Sequence, residues 1–525
     1  MKSIPQKGKT WTYIVFIGLG LGHLLPFNCF ITAYEYFAEA FPENSYFEFA
    51  FNSVFNTATV IGLISDISLR SFLRKKVEKK RQKKIREKMQ QTFLEPSNES
   101  INMNDPNVEN RRNFSSGIII SILVFIATQI FIPVLVETVK HKSAFYITIG
   151  VVFIGGFFTG IYQANMFSFA AIFLPVHTQA VMTGQGVAGA FVSLLRIFTR
   201  LSFSNNKSGL RKSSILYFSI SAFLLIVILF AFLSVLKTNF VKHFLNQFWN
   251  IGISQKNAQE YSINENVDIA KESKEIETSS EDLPNSDDAL LNKNMNPNPN
   301  ENQNENQNEI HENENLNQNE NQNSNENQNL NENQNSNEND KLINDIHNDI
   351  SPQKQEPISV KHVAKSLAKF EFGVFFVFFV TLALFPSVIT RIPSTHSDLT
   401  SSDWFAIIMI TVFNFFDLIG RTLPRWFPKI FSSKVLIIVI VSRSIFFVLF
   451  VLCANKLIFS DPLSIIFMVI FAISNGYCSS TIMMQAPHSL KPSERDLAGG
   501  LMTTFLQIGL VLGSCSSWIF LLMLP

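Results

Sequence analysis

The stretch VFNFFDLIGRTL, Val412 to Leu423, decides how the chain is read. It closes an apolar run beginning at Trp404 that is long enough to cross about 30 Å of hydrocarbon at 1.5 Å per helical residue. Yet Asn414, Asp417 and Arg421 interrupt it at i, i+3 and i+7, which places all three on one face of a helix. A charged side chain at mid-membrane costs about 2.5–3.5 kcal/mol on insertion scales. These groups must therefore face a protein interior or an aqueous path, not lipid. Arg421 lies toward the end of the run, where its long stem suits snorkelling to the surface. Asp417 is deeper and shorter-stemmed, and is expected to face an internal cavity with or without Arg421. The rest of the chain must then supply that interior.

It does so in repeated apolar blocks. Nearly half of the 525 residues are hydrophobic, 52 of them Phe, and a polar insert dilutes the mean hydropathy to +0.16. Eleven spans are expected, at 11–37, 49–69, 114–136, 143–173, 179–203, 213–236, 368–390, 404–423, 435–454, 462–486 and 497–523. The first is too long for a signal-peptide core and reads as a spanning helix. Spans in lipid must satisfy their own backbone, so they are helical, and the short alternating segments of a β-barrel are missing. The fold class expected is an all-α integral membrane protein with eleven transmembrane helices in a 6+5 arrangement. It divides into an N-terminal six-helix bundle (1–237, with a basic loop at 70–113), a linker (238–363) and a C-terminal five-helix bundle (364–525). Within the linker asparagine fills nearly every second position from about 292 to 340; such a tract buries too little apolar surface to order itself and is expected to be disordered.

Charge sets orientation. Arg70–Lys88 holds eleven basic residues against two acidic ones, placing this loop and the N-terminus in the cytoplasm, and an odd span count puts the C-terminus outside. Lys361, Lys365, Lys369, Arg425 and Lys429 agree; Lys207–Lys212 does not. A net charge of +1 gives no reason to expect a nucleic-acid partner, and four scattered cysteines lack disulfide or metal spacing. No metal, cofactor or enzymatic signature is expected: there is no phosphate-binding loop, Gly-x-Ser-x-Gly elbow or His-Glu-x-x-His.

What chemistry there is lies inside the spans. GLGLGHLLPFNCFITAYEYF, Gly18–Phe37, carries Pro26, expected to break the first helix and expose backbone beside Phe27, Asn28 and Thr32. His23 reads as an interior histidine or a proton-linked group. GGFFTGIYQANMFSFAAIFLP, Gly155–Pro175, centres Gln163 and Asn165, amides able to bond a neutral ligand in both senses. Arg196, in the Gly-rich fifth span, needs a partner, for which Asp417 and Glu371 are candidates. Amides, one aspartate, arginines and aromatics suit a small, uncharged, hydrogen-bonding solute with a ring to stack.

These stretches resemble a known family, the equilibrative nucleoside transporters. LLPFNCFITAYEYF resembles its span-one Leu-Pro-Trp-Asn motif, and TGIYQANMFSFAAIFLP with TGQGVAGAF its fourth and fifth spans. FNFFDLIGRTLP is similar to its Phe-Asn-x-x-Asp-x-x-Gly-Arg signature, and AISNGYCSSTIMMQAPHSL to its penultimate span. The resemblance implies a major-facilitator-like fold that moves nucleosides or nucleobases, purines foremost, by alternating access. It implies ribose contacts at Asp417 and Arg421 with Asn414 beside them, a base contact at Gln163, and a base pocket lined by Phe27 and Ile31 next to Asn28. Phe27 departs from the family's Trp and alters the stacking surface. Some protist relatives couple transport to protons, for which His23 or Asp417 would serve, while Arg196 would serve in ion pairing between helices. The Asn-rich tract and heavy Phe, Ile and Lys usage fit an AT-rich protist genome. A monomer in the plasma membrane is expected. The alternatives are a carrier of the same fold for another polar solute or an organic cation, and a membrane scaffold working through its polar loop.

Overall fold

The computed structural model describes residues 5–41, 47–94, 114–139, 141–203, 207–248, 360–401, 404–427 and 431–521. The Asn-rich tract, most of the remaining linker and the segment 95–113 lie outside them. Helices dominate the described residues and no strand occurs among them. In order they are α1 (Lys9–Thr32), α2 (Tyr34–Ala40), α3 (Phe47–Leu94), α4 (Phe114–Thr138), α5 (His141–Ile172), α6 (Pro175–Ser202) and α7 (Lys207–Val235). After α8, residues 239–248, the second half holds α9 (Val360–Leu384), α10 (Ser397–Ser401), α11 (Trp404–Thr422), α12 (Ser433–Ser442), α13 (Ile445–Ala454), α14 (Asp461–His488) and α15 (Arg495–Leu521).

Ten segments are long and apolar enough to cross a membrane: α1, α4, α5, α6, α7, α9, α11, α12 with α13, α14 and α15. The expected span at 49–69 is the start of α3, too polar at Asn52, Asn56, Thr57, Thr59, Ser65 and Asp66 to reach the same apolarity. It nonetheless packs along α5 and α15, where Asn56 meets Gln507 and Asp66 meets Asn165. At 48 residues α3 is about 72 Å long, and its basic second half has no apolar layer left to cross.

Two further departures are local. α1 runs unbroken through Pro26 and ends at Thr32, a turn at Ala33 leading into α2; membrane helices tolerate proline where neighbours satisfy the freed carbonyl. The span expected at 435–454 is interrupted at Arg443–Ser444, between α12 and α13.

The two halves repeat one pairing scheme. The first span packs on the fifth (α1 on α6, α9 on α15) and the second on the fourth (α3 on α5, α11 on α14). Between halves, each fifth span packs on the second and fourth of the other: α6 on α11 and α14, α15 on α3 and α5. Backbone contact sets the register. A Cβ on Gly62 would land on the carbonyl of Phe157 and one on Gly160 on that of Thr59; Gly420 meets Ile473 and Gly476 meets Asp417 in the same way. The second and fourth spans therefore cross identically in both halves. Asn56 and Asn414, each six residues before its glycine, occupy equivalent places. Internally repeated carriers commonly place substrate where the repeats meet.

Candidate functional site

The seam between α6 and α11 is such a place. The two helices run antiparallel and touch closely because α6 is glycine-rich there: a Cβ on Gly186 would lie 2.9 Å from Arg421 Cδ, and one on Gly189 2.7 Å from Asn414 Oδ1. Asn414 donates to Ser193 Oγ at 2.8 Å across the seam. Its counterpart Asn56 accepts from Gln507 Nε2 at 3.3 Å, on α15 of the other half. The carbonyl of Arg421 lies at the end of α11, where helix carbonyls lack their usual i+4 amide. Gln179 Nε2 (2.9 Å) and Thr183 Oγ1 (3.3 Å) on α6 donate to it instead.

Asp417 and Arg421 are both buried, at 5% and 6% exposure. Arg421 does not snorkel: its Nε donates to Asp417 Oδ2 at 2.6 Å and its Nη1 to Gln185 Oε1 at 3.3 Å and the Met182 carbonyl at 3.4 Å. Gln185 in turn lies 3.0 Å from His23 Nδ1, and the His23 ring stacks on Tyr162, whose hydroxyl donates to the Leu19 carbonyl. On the other side Asn475 Nδ2 donates to Asp417 Oδ1 at 2.7 Å. A polar chain thus crosses both halves, from α1 through α6 and α11 to α14.

Several of its members keep bonding capacity. Among the described residues Gln163 has no partner for either Nε2 or Oε1 though fully buried, and His23 Nε2 also has none. No partner is found there for Arg421 Nη2 either. Gln163 adjoins Tyr162 and is thereby one residue from the chain. Phe27 stacks face to face on Phe55 at 4.1 Å, leaving its other face and the half-buried Asn28 and exposed Ile31 at the end of α1.

The remaining expected residues go elsewhere. Arg196 donates to the Thr32 carbonyl at 3.2 Å, capping the end of α1, while Asp417 is held by Arg421. Arg196 is thus not the partner of Asp417. Asn165 turns to Asp66 Oδ1 (3.1 Å) and the Ile161 carbonyl. Asp66 is paired with Arg70, so α3 and α5 hold a second aspartate–arginine–asparagine clamp. Against the glycine register it sits two turns further along its span than Asp417. Each half carries the same device, and only the second half holds it deep in the bundle.

Gln185 and Asn475 escaped the sequence reading, as did two residues that extend the chain, Thr381, whose hydroxyl lies 2.7 Å from Asn475 Oδ1, and Arg443, which donates to Thr381 at 2.9 Å. Arg443 carried the signal that exposed Asp417, an ionisable residue inside an apolar block.

A family model described as nucleoside transporter matches residues 148–304 and 300–522. The chain belongs to the nucleoside transporter family. Nucleoside transporters are carriers, not enzymes. The rat equilibrative nucleoside transporter 1 is 25% identical in an alignment covering 98% of both chains. The Arabidopsis thaliana equilibrative nucleotide transporter 1 is 22% identical, over 98% of this chain and 87% of its own. The human equilibrative nucleoside transporter 2 reaches 36% over 179 residues, 32% of this chain. Among solved structures the chain aligns with the E. coli fucose:proton symporter at 11% identity, over 97% of each chain, with a TM-score of 0.48. The major facilitator superfamily proton:xylose symporter XylE gives 12%, over 98% of this chain and 89% of its own, with a TM-score of 0.49.

Proposed function

We propose that this transporter carries nucleosides, purine nucleosides foremost, by alternating access, with the ribose held at Asp417 and Arg421 and the base at Gln163. The observation that carries this reading is the buried Asp417–Arg421 pair at the seam of the two halves, next to polar groups that lack protein partners. Each carboxylate oxygen of Asp417 already accepts one protein hydrogen bond and has a further lone pair, which suits the two neighbouring hydroxyls of a ribose. Arg421 Nη2 supplies a donor to a ribose oxygen. Gln163 offers one donor and one acceptor, the complement of a purine edge. Phe27 and Ile31 flank the base. A free nucleobase lacks the hydroxyls, so it should bind more weakly than its nucleoside.

A monomer suffices for this mechanism because one chain supplies both sides of the seam. In this reading the amino terminus and the basic part of α3 face the cytoplasm, and the protein sits in the plasma membrane. A proton-linked step, if uptake responds to pH, belongs at His23 or Asp417. The test is labelled uptake of adenosine, inosine, uridine and hypoxanthine in transporter-deficient cells, with Asp417→Asn and Arg421→Ala alongside. Wild-type uptake should favour the purine nucleosides, and in both variants nucleoside uptake should fall well below wild type while staying measurable at high substrate. Normal uptake by both variants at equal surface abundance overturns the site.

A further inference from the structure

Among the described residues Arg443 is the largest fully buried side chain, and it stands at the break between α12 and α13. A guanidinium so placed calls for a carboxylate, yet among the described residues no acidic oxygen lies within ion-pair distance of it. Its donors go to Ser474 Oγ (3.1 Å), the Val377 carbonyl (3.1 Å) and Thr381 Oγ1 (2.9 Å), with the Phe471 ring 4.9 Å beneath its Cζ. Thr381 Oγ1 lies 2.7 Å from Asn475 Oδ1, and Asn475 Nδ2 is 2.7 Å from Asp417 Oδ1.

The direction of this relay is fixed at its ends. Arginine only donates and a carboxylate only accepts. Thr381 accepts from Arg443, so its single hydroxyl hydrogen is free to be donated onward, and Asn475 Oδ1 is an acceptor at the shorter of the two distances available. The asparagine must then present its NH₂ to Asp417. Reversing its amide would set its oxygen against a carboxylate oxygen, and would turn the Thr381 hydrogen back to the Val377 carbonyl. Charge-biased chains of this kind strengthen and orient their members.

We propose that Arg443 is a positioning residue for ribose selection. Through Thr381 and Asn475 it holds Asp417 Oδ1 in one orientation, so that the carboxylate meets ribose hydroxyls with a fixed geometry. This rests on the ribose-clamp reading of Asp417 and extends it to a residue that touches no substrate. The glycine-rich side of the seam holds Arg421, and the relay holds Asp417 from the opposite side. Without the relay the carboxylate keeps its arginine but loses its aim.

The test compares KM for a nucleoside with KM for its 2′,3′-dideoxy analogue, in wild type, Thr381→Val, Thr381→Ser, Arg443→Gln and Arg443→Lys, with Asp417→Asn as reference. Thr381→Val keeps the shape of the side chain and removes the hydroxyl. It should raise KM for the nucleoside about tenfold, a single hydrogen bond's worth, and leave the dideoxy analogue almost unchanged. Arg443→Gln should do the same, the Thr381→Val/Arg443→Gln double variant should be no worse than either, and Thr381→Ser and Arg443→Lys should restore discrimination in part. A purely structural role would instead lower surface abundance and Vmax equally for both substrates, and that result overturns the proposal. If Asp417→Asn abolishes discrimination while Thr381→Val leaves it intact, the relay is wrong and the clamp survives. If Asp417→Asn itself leaves discrimination unchanged, the clamp reading falls first.

Discussion

Asp417 and Arg421 stabilise each other as a buried pair, and that role can be separated from the ligand role proposed for them. Removing one partner of a buried ion pair leaves an uncompensated charge and costs about 3–5 kcal/mol, whereas neutralising both is often nearly neutral. Asp417→Asn alone should therefore reduce both surface abundance and uptake. The Asp417→Asn/Arg421→Gln double variant should recover abundance without recovering uptake. Surface biotinylation beside labelled uptake distinguishes the two, and recovery of both together would remove Asp417 and Arg421 from substrate binding. These two residues were legible in the sequence because charge in an apolar block has few explanations. Arg196 met the same criterion and turned out to cap the end of α1; its helix and its charge were readable, but not the carbonyl it would face. Asn475 and Thr381 were illegible for the opposite reason. Uncharged polar residues are common inside spans, and only the geometry across α9 and α14 gives them a role.

Helix contacts depend on glycines whose value is set by what lies opposite. On α6, Gly184 lies against the backbone of α1, where a Cβ would fall on the Ile17 carbonyl, and Gly20 of α1 meets Val181 reciprocally. Gly155 of α5 has nothing within 4 Å of its Cβ position. Sequence alone ranks these glycines alike. Gly184→Val should force α1 and α6 apart and deplete folded transporter at the surface. Gly155→Ala should keep uptake and raise the melting temperature slightly, since alanine in a helix gains about 0.5–1 kcal/mol over glycine. Fluorescence-detected melting in detergent gives both answers, and equal effects of the two changes would refute the close-contact account. Spans were readable wherever twenty apolar residues ran together. Two expected spans mark where that rule weakens: 49–69 is present as the start of α3 but carries polar residues such as Asp66, which meets Asn165 of α5, and 435–454 is present as α12 and α13, which part at an arginine whose hydrogen bonds lie on α9 and α14.

At the scale of the molecule, the described helices of both halves belong to one compact unit, 1–254 with 356–525. Carrier activity should then need nothing from the Asn-rich tract. Replacing 255–355 with a short Gly/Ser linker should leave uptake per surface molecule within about twofold, because flexible linkers close over a wide range of lengths at little cost. A scaffold would lose its function with that segment.

The same body must also come apart along its seam if the halves alternate. Polar contacts join α6 to α11 from Ser193 and Asn414 to Gln179 and Arg421. Beyond them the Arg425 guanidinium lies over the Tyr13 ring at 4.1 Å, tying α1 to the turn after α11. Neither Tyr13 nor Arg425 belongs to the proposed substrate site, so cysteines there report on movement and not on binding. Tyr13→Cys with Arg425→Cys, in a background lacking the exposed Cys515, should transport while reduced. A bifunctional methanethiosulfonate reagent of matching span should join the halves at that end, stop uptake, and leave substrate binding measurable by protection against heat. Reduction should restore transport. Uptake that continues at full rate through quantitative cross-linking would show that this end of the seam never opens, and alternating access about it would have to be abandoned.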